Sequence, residues 1–481
     1  MKRGLTFHQL TVGLLFGAMA VFACLMPAQG DTYWHLRAGQ EIWRTMHVPL
    51  DEHYSYTAAG GYWPNHEWLW QAFAYGLYRL GGMRLLLFGS AAIIIGACVI
   101  LYRLCVGSAA LRLVLMALSL PLATRAWALR PQLVSTLALA VMLWLLVHGR
   151  HRWLPLLFVV WANVHGAVAM GIAVLAAVAG VALLEARRGD ARARHRAWEL
   201  CALTPVVALT TLLTPLGLGL WRYVGTSMAL SRENKISEWQ PTWPNHPFGM
   251  IFWALALGFL ALLFRRRHRL REMSFGDIVL VTASLVMLVL AARAIRNSCV
   301  FLLIAVPAAS RLLGADFRLR AGGARPATPD HPRFNLALLL GISALEAAGV
   351  LYAWQLPDQG LGWQPISAGA LAAVRTCPER VFGRYNDGGP LIWFVPERRV
   401  FSDTRQDPYP LSITRATASI ERGGPYREVF ARYGVHCAIF PLETKAVARL
   451  TGDGWQTRFL DDRWTVLVDP AAGAPPGRGP S

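Results

Sequence analysis

Several polar residues sit where an apolar chain has little reason to keep them. Asp31 follows directly after the first long apolar run. A carboxylate at the level of lipid headgroups is costly to retain. There it could take the proton from an acceptor hydroxyl, or hold a metal that neutralises a phosphate. It could equally cap the helix whose spacing is expected over Thr32–Thr45. The neighbouring pair Asp51 and Glu52, within Pro49–Thr57, suits a cation, a sugar hydroxyl or a turn. His66 and Glu67 lie next to Trp68 and Trp70. That composition fits a sugar site, because aromatic faces stack on apolar sugar faces. A helix dipole alone would also favour Glu67 at a helix start.

A second group is cationic. Arg130 precedes Pro131 at the start of an apolar run, and Arg293 and Arg296 lie between two such runs. A guanidinium fork matches a phosphate, or it snorkels to headgroups. Asn163 and His165 fall at or near membrane depth, where polar groups face the protein interior. Glu238, among Trp239, Trp243 and His246, could cover a site, act as a second acid or base, or belong to an interfacial aromatic belt.

These residues must be positioned by a strongly apolar chain. Of 481 residues 55% are hydrophobic and 16% charged, against roughly 25% charged in soluble domains. Mean hydropathy is +0.37. A disordered chain, a collagen, a disulfide-stapled mini-domain and an ordinary soluble enzyme are poor fits. Eleven apolar runs approach the length needed to cross a ~30 Å hydrocarbon layer. They are 10–27, 83–104, 109–124, 132–147, 153–165, 167–185, 199–220, 247–264, 277–293, 298–313 and 333–354. The first is read as a retained helix rather than a cleaved signal, and Asn163–Gly166 as a candidate re-entrant bend.

The formal charge of +19 is almost all arginine, in short runs between apolar segments. That is how membrane topology is written, and it argues against nucleic acid as a partner. With the N-terminus cytoplasmic, the inner gaps hold 20 Lys and Arg and the outer gaps 11. Every polar cluster named above then falls on the outer face, as does the tail after residue 354. Arg130, Arg293 and Arg296 run against the inside bias there, which favours an anionic ligand.

The expected domains are 1–354, a multi-span unit with a first outer loop at 28–82, and 355–481, a small α/β domain. In the tail, residues 380–404 alternate like two strands around a Gly388-Gly389-Pro390 turn. A helix is expected at Tyr426–Tyr433, with strands at Cys437–Phe440 and Trp464–Val468. The seven cysteines show no zinc spacing; Cys377 and Cys437 could pair if the tail lies outside the cytoplasm. Arg320–Pro332 reads as a linker and Ala471–Ser481 as a disordered end. There is no Walker loop, nucleophile elbow or zincin helix.

Taken in order, the outer-face motifs resemble bacterial polytopic proteins of the C-type (GT-C) glycosyltransferase superfamily. The motifs are GDTYWHLRAGQEIW, VPLDEHYSYTAAGGYWPNHEWLWQ, RPQLVS, WANVHGAVAMG, LTPLGLGLW with ISEWQPTW, and RYNDGGPLIWFVPERRVFSDTRQDPY. The resemblance implies a multi-span helical fold and an inner-membrane glycosyltransferase of hexosyl or pentosyl type. It implies a polyprenyl-phosphate sugar donor, and a glycan, lipid or protein acceptor on the outer, periplasmic face. No nucleotide is implied at the site; a divalent cation stays open and no metal ligand is assigned. Asp31 matches the essential carboxylate of the first outer loop. The paired carboxylate usual there is absent, since Thr32 follows, so Asp31, Asp51 and Glu52 remain alternatives for the base. Under this reading Glu67 joins the catalytic group, and His35, Trp34, Glu52, His66 and Trp68 contact sugar, as does Trp63. Arg130, Arg293 and Arg296 hold the lipid phosphate, while Asn163, His165 and Glu238 line the substrate path. Two rivals predict no turnover: a protein that binds or moves lipid-linked glycans, and an assembly scaffold.

Overall fold

The computed structural model describes residues 5–187, 191–233, 236–320, 331–356 and 360–470. Lys2, Arg3, Arg188, Lys235, most of the expected linker (321–330) and the end at 471–481 lie outside them. The chain divides into two compact units, residues 1–26 with 81–356 and residues 27–80 with 357–481. The expected first outer loop thus groups with the tail.

The first unit is helical. The chain holds eight described helices that are long and apolar enough to span a bilayer. They are Phe7–Cys24, Trp68–Leu104, Ala109–Ala126, Val168–Ala186, Pro247–Arg265, Phe275–Arg293, Ile295–Gly314 and Pro332–Ala353. Gln132–Val147 is a shorter apolar helix. The protein is therefore a polytopic, helical membrane protein. Within Trp68–Leu104 the helix breaks at Gly81 and Gly82, the latter at φ 63°. Only glycine adopts that conformation without strain, and the expected span begins at the next residue.

Two expected spans differ in form. Leu154–Val164 has 11 residues, a rise of about 16 Å, too short to cross. It ends because His165 turns extended, at φ −163° and ψ 137°. The span expected over 199–220 stops at Thr210. The chain turns there, with Gly217 at φ 52°, and resumes helix at Gly219–Glu233. Asn163 holds this break: its Nδ2 donates to the Leu213 and Val159 carbonyls, both at 2.8 Å.

The second unit is α/β. Strands β1 (Arg380–Val381) and β2 (Arg399–Val400) pair in parallel. Strands β3 (Cys437–Pro441), β4 (Gln456–Leu460) and β5 (Trp464–Val468) form an antiparallel sheet in the order β3-β5-β4. Cys377 and Cys437 are joined by a disulfide. The helix expected near Tyr426 is present at Arg427–Tyr433.

The expected strand at Leu391–Phe394 is instead a helix, Gly388–Phe394. A short apolar run does not distinguish the two forms. Its two glycines permit close packing. A Cβ at Gly389 would stand 2.0 Å from the Gly30 carbonyl oxygen, and one at Gly388 would stand 2.6 Å from the Asp403 Cβ. The helix Gly30–Thr45 thereby lies directly on Gly388–Phe394. Trp34, Ala38, Tyr54 and Trp63 enter one core with Ile366, Val374, Ile392 and Val466.

Candidate functional site

In the second unit, Asp31 occupies the first turn of Gly30–Thr45, where the helix dipole favours a carboxylate. The Gln29 backbone N–H donates to Thr32 Oγ1 at 3.1 Å, which fixes the helix start. Asp31 is half-buried. Its Oδ1 accepts from Trp34 Nε1 at 3.3 Å, and the same indole N–H also points at Thr404 Oγ1, 3.1 Å away. The Tyr385 hydroxyl donates to the Thr404 carbonyl at 3.2 Å. A segment some 370 residues downstream thus helps to set the orientation of Asp31. Close by in the chain, burial pushes the Asp387 carboxyl up, against the pull of Arg384 at 2.7 Å. Burial likewise raises Glu421, whose Oε1 accepts from the Tyr385 N–H at 2.6 Å.

Trp34 and Trp63 do not offer open faces. They are 6% and 2% exposed, and His35 stacks on Trp34 at 3.7 Å between centroids. Both serve the core, which corrects the expectation of direct sugar contact. Trp68 stays partly exposed. His35 and His66 flank Glu67, with Nε2 to carboxylate distances of 3.8 and 3.5 Å. Burial pushes the His66 ring down, but Glu67 and then Asp407 outweigh it and leave it above the ordinary imidazole value. Asn65 and Gln71 exchange amide hydrogen bonds of 2.9 and 2.6 Å, pinning the start of the Trp68 helix.

The other acidic pair separates. Asp51 is exposed and bridges in antiparallel fashion to Tyr62. Glu52 is buried, and its oxygens accept from Arg405 Nη1 at 2.5 Å and Nη2 at 3.1 Å. Arg405 also binds Asp403, at 2.9 and 2.6 Å. Its guanidinium lies 4.8 and 4.7 Å from the Tyr54 and Trp63 rings. Side-chain exposure of Glu52, Asp403 and Arg405 is 0%. Glu52 is thus a structural carboxylate, and of the three alternatives for the base Asp31 and Asp51 keep solvent access.

In the first unit, Glu238 lies between two arginines. Arg130 Nη1 is 3.6 Å and Arg296 Nη1 3.3 Å from its carboxylate. Burial pushes Glu238 up, but Arg296 and Arg130 more than offset this and hold it below the ordinary carboxylate value. Arg296 also stacks over Trp239 at 4.5 Å. The loop is fastened by Thr242, whose N–H donates to the Ala292 carbonyl at 3.1 Å. Arg293 is exposed at the end of its helix. His165 Nδ1 meets Ser135 Oγ at 2.8 Å, and Trp161 Nε1 donates to the same hydroxyl at 2.8 Å. Among the described residues no group of three or more His, Cys, Asp and Glu side chains is placed to hold a metal ion.

Several solved structures share this architecture. The oligosaccharyltransferase AglB from Archaeoglobus fulgidus, in complex with an inhibitory peptide and a dolichol-phosphate, matches at TM-score 0.57 and 13% identity, over 90% of this chain and 69% of its own. ArnT from Cupriavidus metallidurans matches in the apo state at TM-score 0.52 and 16% identity, over 97% and 98% of the two chains. ArnT bound to undecaprenyl phosphate matches at TM-score 0.52 and 14% identity, over 97% and 99%. The chain shares the fold of these proteins. No family model matches the chain, and no curated protein matches it.

The resemblance singles out Asp31 but not the residues that hold it. Thr404 and Tyr385 lie within the quoted RYNDGGPL…SDTRQDPY stretch, and only the fold connects that stretch to residue 31.

Proposed function

We propose that the protein is a membrane glycosyltransferase that moves a sugar from a polyprenyl-phosphate donor to an acceptor on the outer face of the inner membrane. The observation that carries this reading is the half-buried Asp31 carboxylate, oriented by Trp34 and positioned in a GT-C fold. Asp31 takes the proton from the acceptor hydroxyl as that oxygen attacks the anomeric carbon. The bond from that carbon to the lipid phosphate breaks, and the phosphate leaves with the electron pair. Glu67, between His35 and His66, accepts hydrogen bonds from sugar hydroxyls. In the membrane unit, Arg130 and Arg296 on either side of Glu238 are guanidinium groups suited to a lipid phosphate. Glu238 keeps the two guanidinium groups from repelling each other, and Arg293 adds a third cation.

An outward-facing tail is supported by the excess of basic residues in the opposite loops and by the Cys377–Cys437 disulfide, which needs an oxidising compartment. The binding of dolichol-phosphate by AglB and of undecaprenyl phosphate by ArnT supports the donor class.

Purified protein in nanodiscs, given undecaprenyl-phosphate hexoses and pentoses with an extract of envelope glycans and lipids, should release undecaprenyl phosphate from one donor. If no donor in either class is consumed while the protein is folded, the enzyme reading fails.

A further inference from the structure

We propose that a cleft in the unit formed by residues 27–80 and 357–481 binds an anionic sugar, carrying one carboxylate or phosphate together with free hydroxyls. The cleft measures about 320 Å³ and is lined by Arg37, His53, Glu379, Glu397, Arg398 and Arg399. That is near the lower end for ligand pockets, roughly 300 Å³, enough for one or two sugar rings.

The charges of the wall do not cancel. Arg37 Nε pairs with Glu41 at 3.0 Å. Arg399 pairs with Glu379 at 3.2 Å, and Glu397 with Arg375 at 3.4 Å. Arg398 has no ion-pair partner among the described residues. Its terminal nitrogens donate to the Arg375 and Glu397 carbonyls, and its Nε is buried without a hydrogen-bond partner. A half-buried guanidinium served only by carbonyls calls for an anion. His53 reinforces it: its Nε2 lies 2.9 Å from Glu41, and that bond, against burial, favours the protonated ring.

The two glutamates decide what kind of anion fits. A bare anion would meet Glu379 and Glu397 with repulsion. A sugar turns hydroxyl donors toward those carboxylates and its own acid toward Arg398. Both halves of the wall are then satisfied by a single ligand.

Under the transfer reading this ligand is the acceptor, and the inference rests on that reading for the role alone. Arg37 is carried by the same helix as Asp31, about 9 Å further along its axis, so binding can be measured without turnover. Full-length protein in phosphatidylcholine nanodiscs is titrated calorimetrically with methyl glucuronide, glucose 6-phosphate, methyl glucoside and inorganic phosphate. One or both anionic sugars should bind at least tenfold more tightly than methyl glucoside and than inorganic phosphate. The stronger of the two identifies the acid. Arg398→Gln should weaken that binding about tenfold to a hundredfold, the worth of a charged hydrogen bond, and Arg398→Lys should recover part of it. If Arg398→Gln does not fold, Arg398→Lys provides the test, since it keeps the charge but loses the planar fork and should still weaken the binding several-fold. Equal binding of methyl glucoside would overturn the anion requirement, and equal binding of inorganic phosphate the sugar. Charge-selective binding without donor turnover would count against the transfer reading and leave the cleft standing. Turnover without charge-selective binding would do the reverse.

Discussion

Replacing Arg405 by leucine should unfold the second unit more readily than any surface change. The guanidinium satisfies two carboxylates at once, Glu52 at 2.5 and 3.1 Å and Asp403 at 2.6 and 2.9 Å. All three side chains are fully buried. Removing the cation leaves two anions without solvent or partner, which costs about 3–5 kcal/mol in measured buried pairs. For a unit of this size each kcal/mol moves the melting temperature by roughly 2–4 °C, so Arg405→Leu should lower it by roughly 6–20 °C. Arg405→Lys keeps the charge but loses the fork and should fall between. Differential scanning fluorimetry of the detergent-solubilised protein reads the shift, with tryptophan emission as the probe because Trp63 faces Arg405. A drop below about 2 °C for Arg405→Leu would refute the claim that Glu52 is held structurally, and Glu52 would return as a ligand candidate.

Three further outcomes follow from the geometry. Loss of the Cys377–Cys437 bond closing a 60-residue separation, through Cys377→Ser with Cys437→Ser, should cost about 4 kcal/mol by loop entropy; thiol labelling with melting checks it. The His53–Glu41 pair should give a pH-dependent stability. His53 lies above its ordinary 6.5 in the fold, so its contribution is full below 6.5 and is lost as pH rises through the raised value. Glu41 is pushed up by burial but ends below its ordinary 4.5, because His53, Tyr54 and Arg37 outweigh that effect. Its contribution is present above 4.5 and lost on acidification through the lowered value. With Asp51 and Glu52 also facing the ring, the melting gap between wild type and His53→Gln should be widest between those pH values and close above the raised His53 value. Finally, Arg296→Gln should weaken undecaprenyl phosphate binding about tenfold or more, read in nanodiscs with labelled lipid; unchanged affinity would remove Arg296 from the phosphate role.

Much of the membrane unit was legible because hydropathy is a local property. The runs near 83–104 and 277–293 became helices at Gly82 and Ser274, where a left-handed glycine and a capping box set the start. The break near Thr210 was less visible, since Pro215 and Gly217 sit in an apolar stretch of span length. In the tail, Cys437–Pro441 and Trp464–Val468 were readable as apolar runs, while β4 was hidden by its exposed, polar sequence. The candidate site was half readable. Residue type and position singled out Asp31, Glu67 and Arg130. The partners of Glu52 and Trp34 were not readable, because Arg405 and Thr404 lie more than 350 residues away. No local pattern specifies a pairing at that range, and an acidic pair such as Asp51-Glu52 looks equally exposed until the fold buries one member.

The central claim is that Asp31 takes the acceptor's proton. It is tested most directly by comparing wild type with Asp31→Asn in nanodiscs loaded with the donor that wild type consumes, measuring donor binding and the release of polyprenyl phosphate separately. The account predicts unchanged donor binding with turnover lowered about 10²–10⁴-fold, the usual worth of a positioned base. Turnover within a few-fold of wild type in a folded Asp31→Asn protein would contradict it.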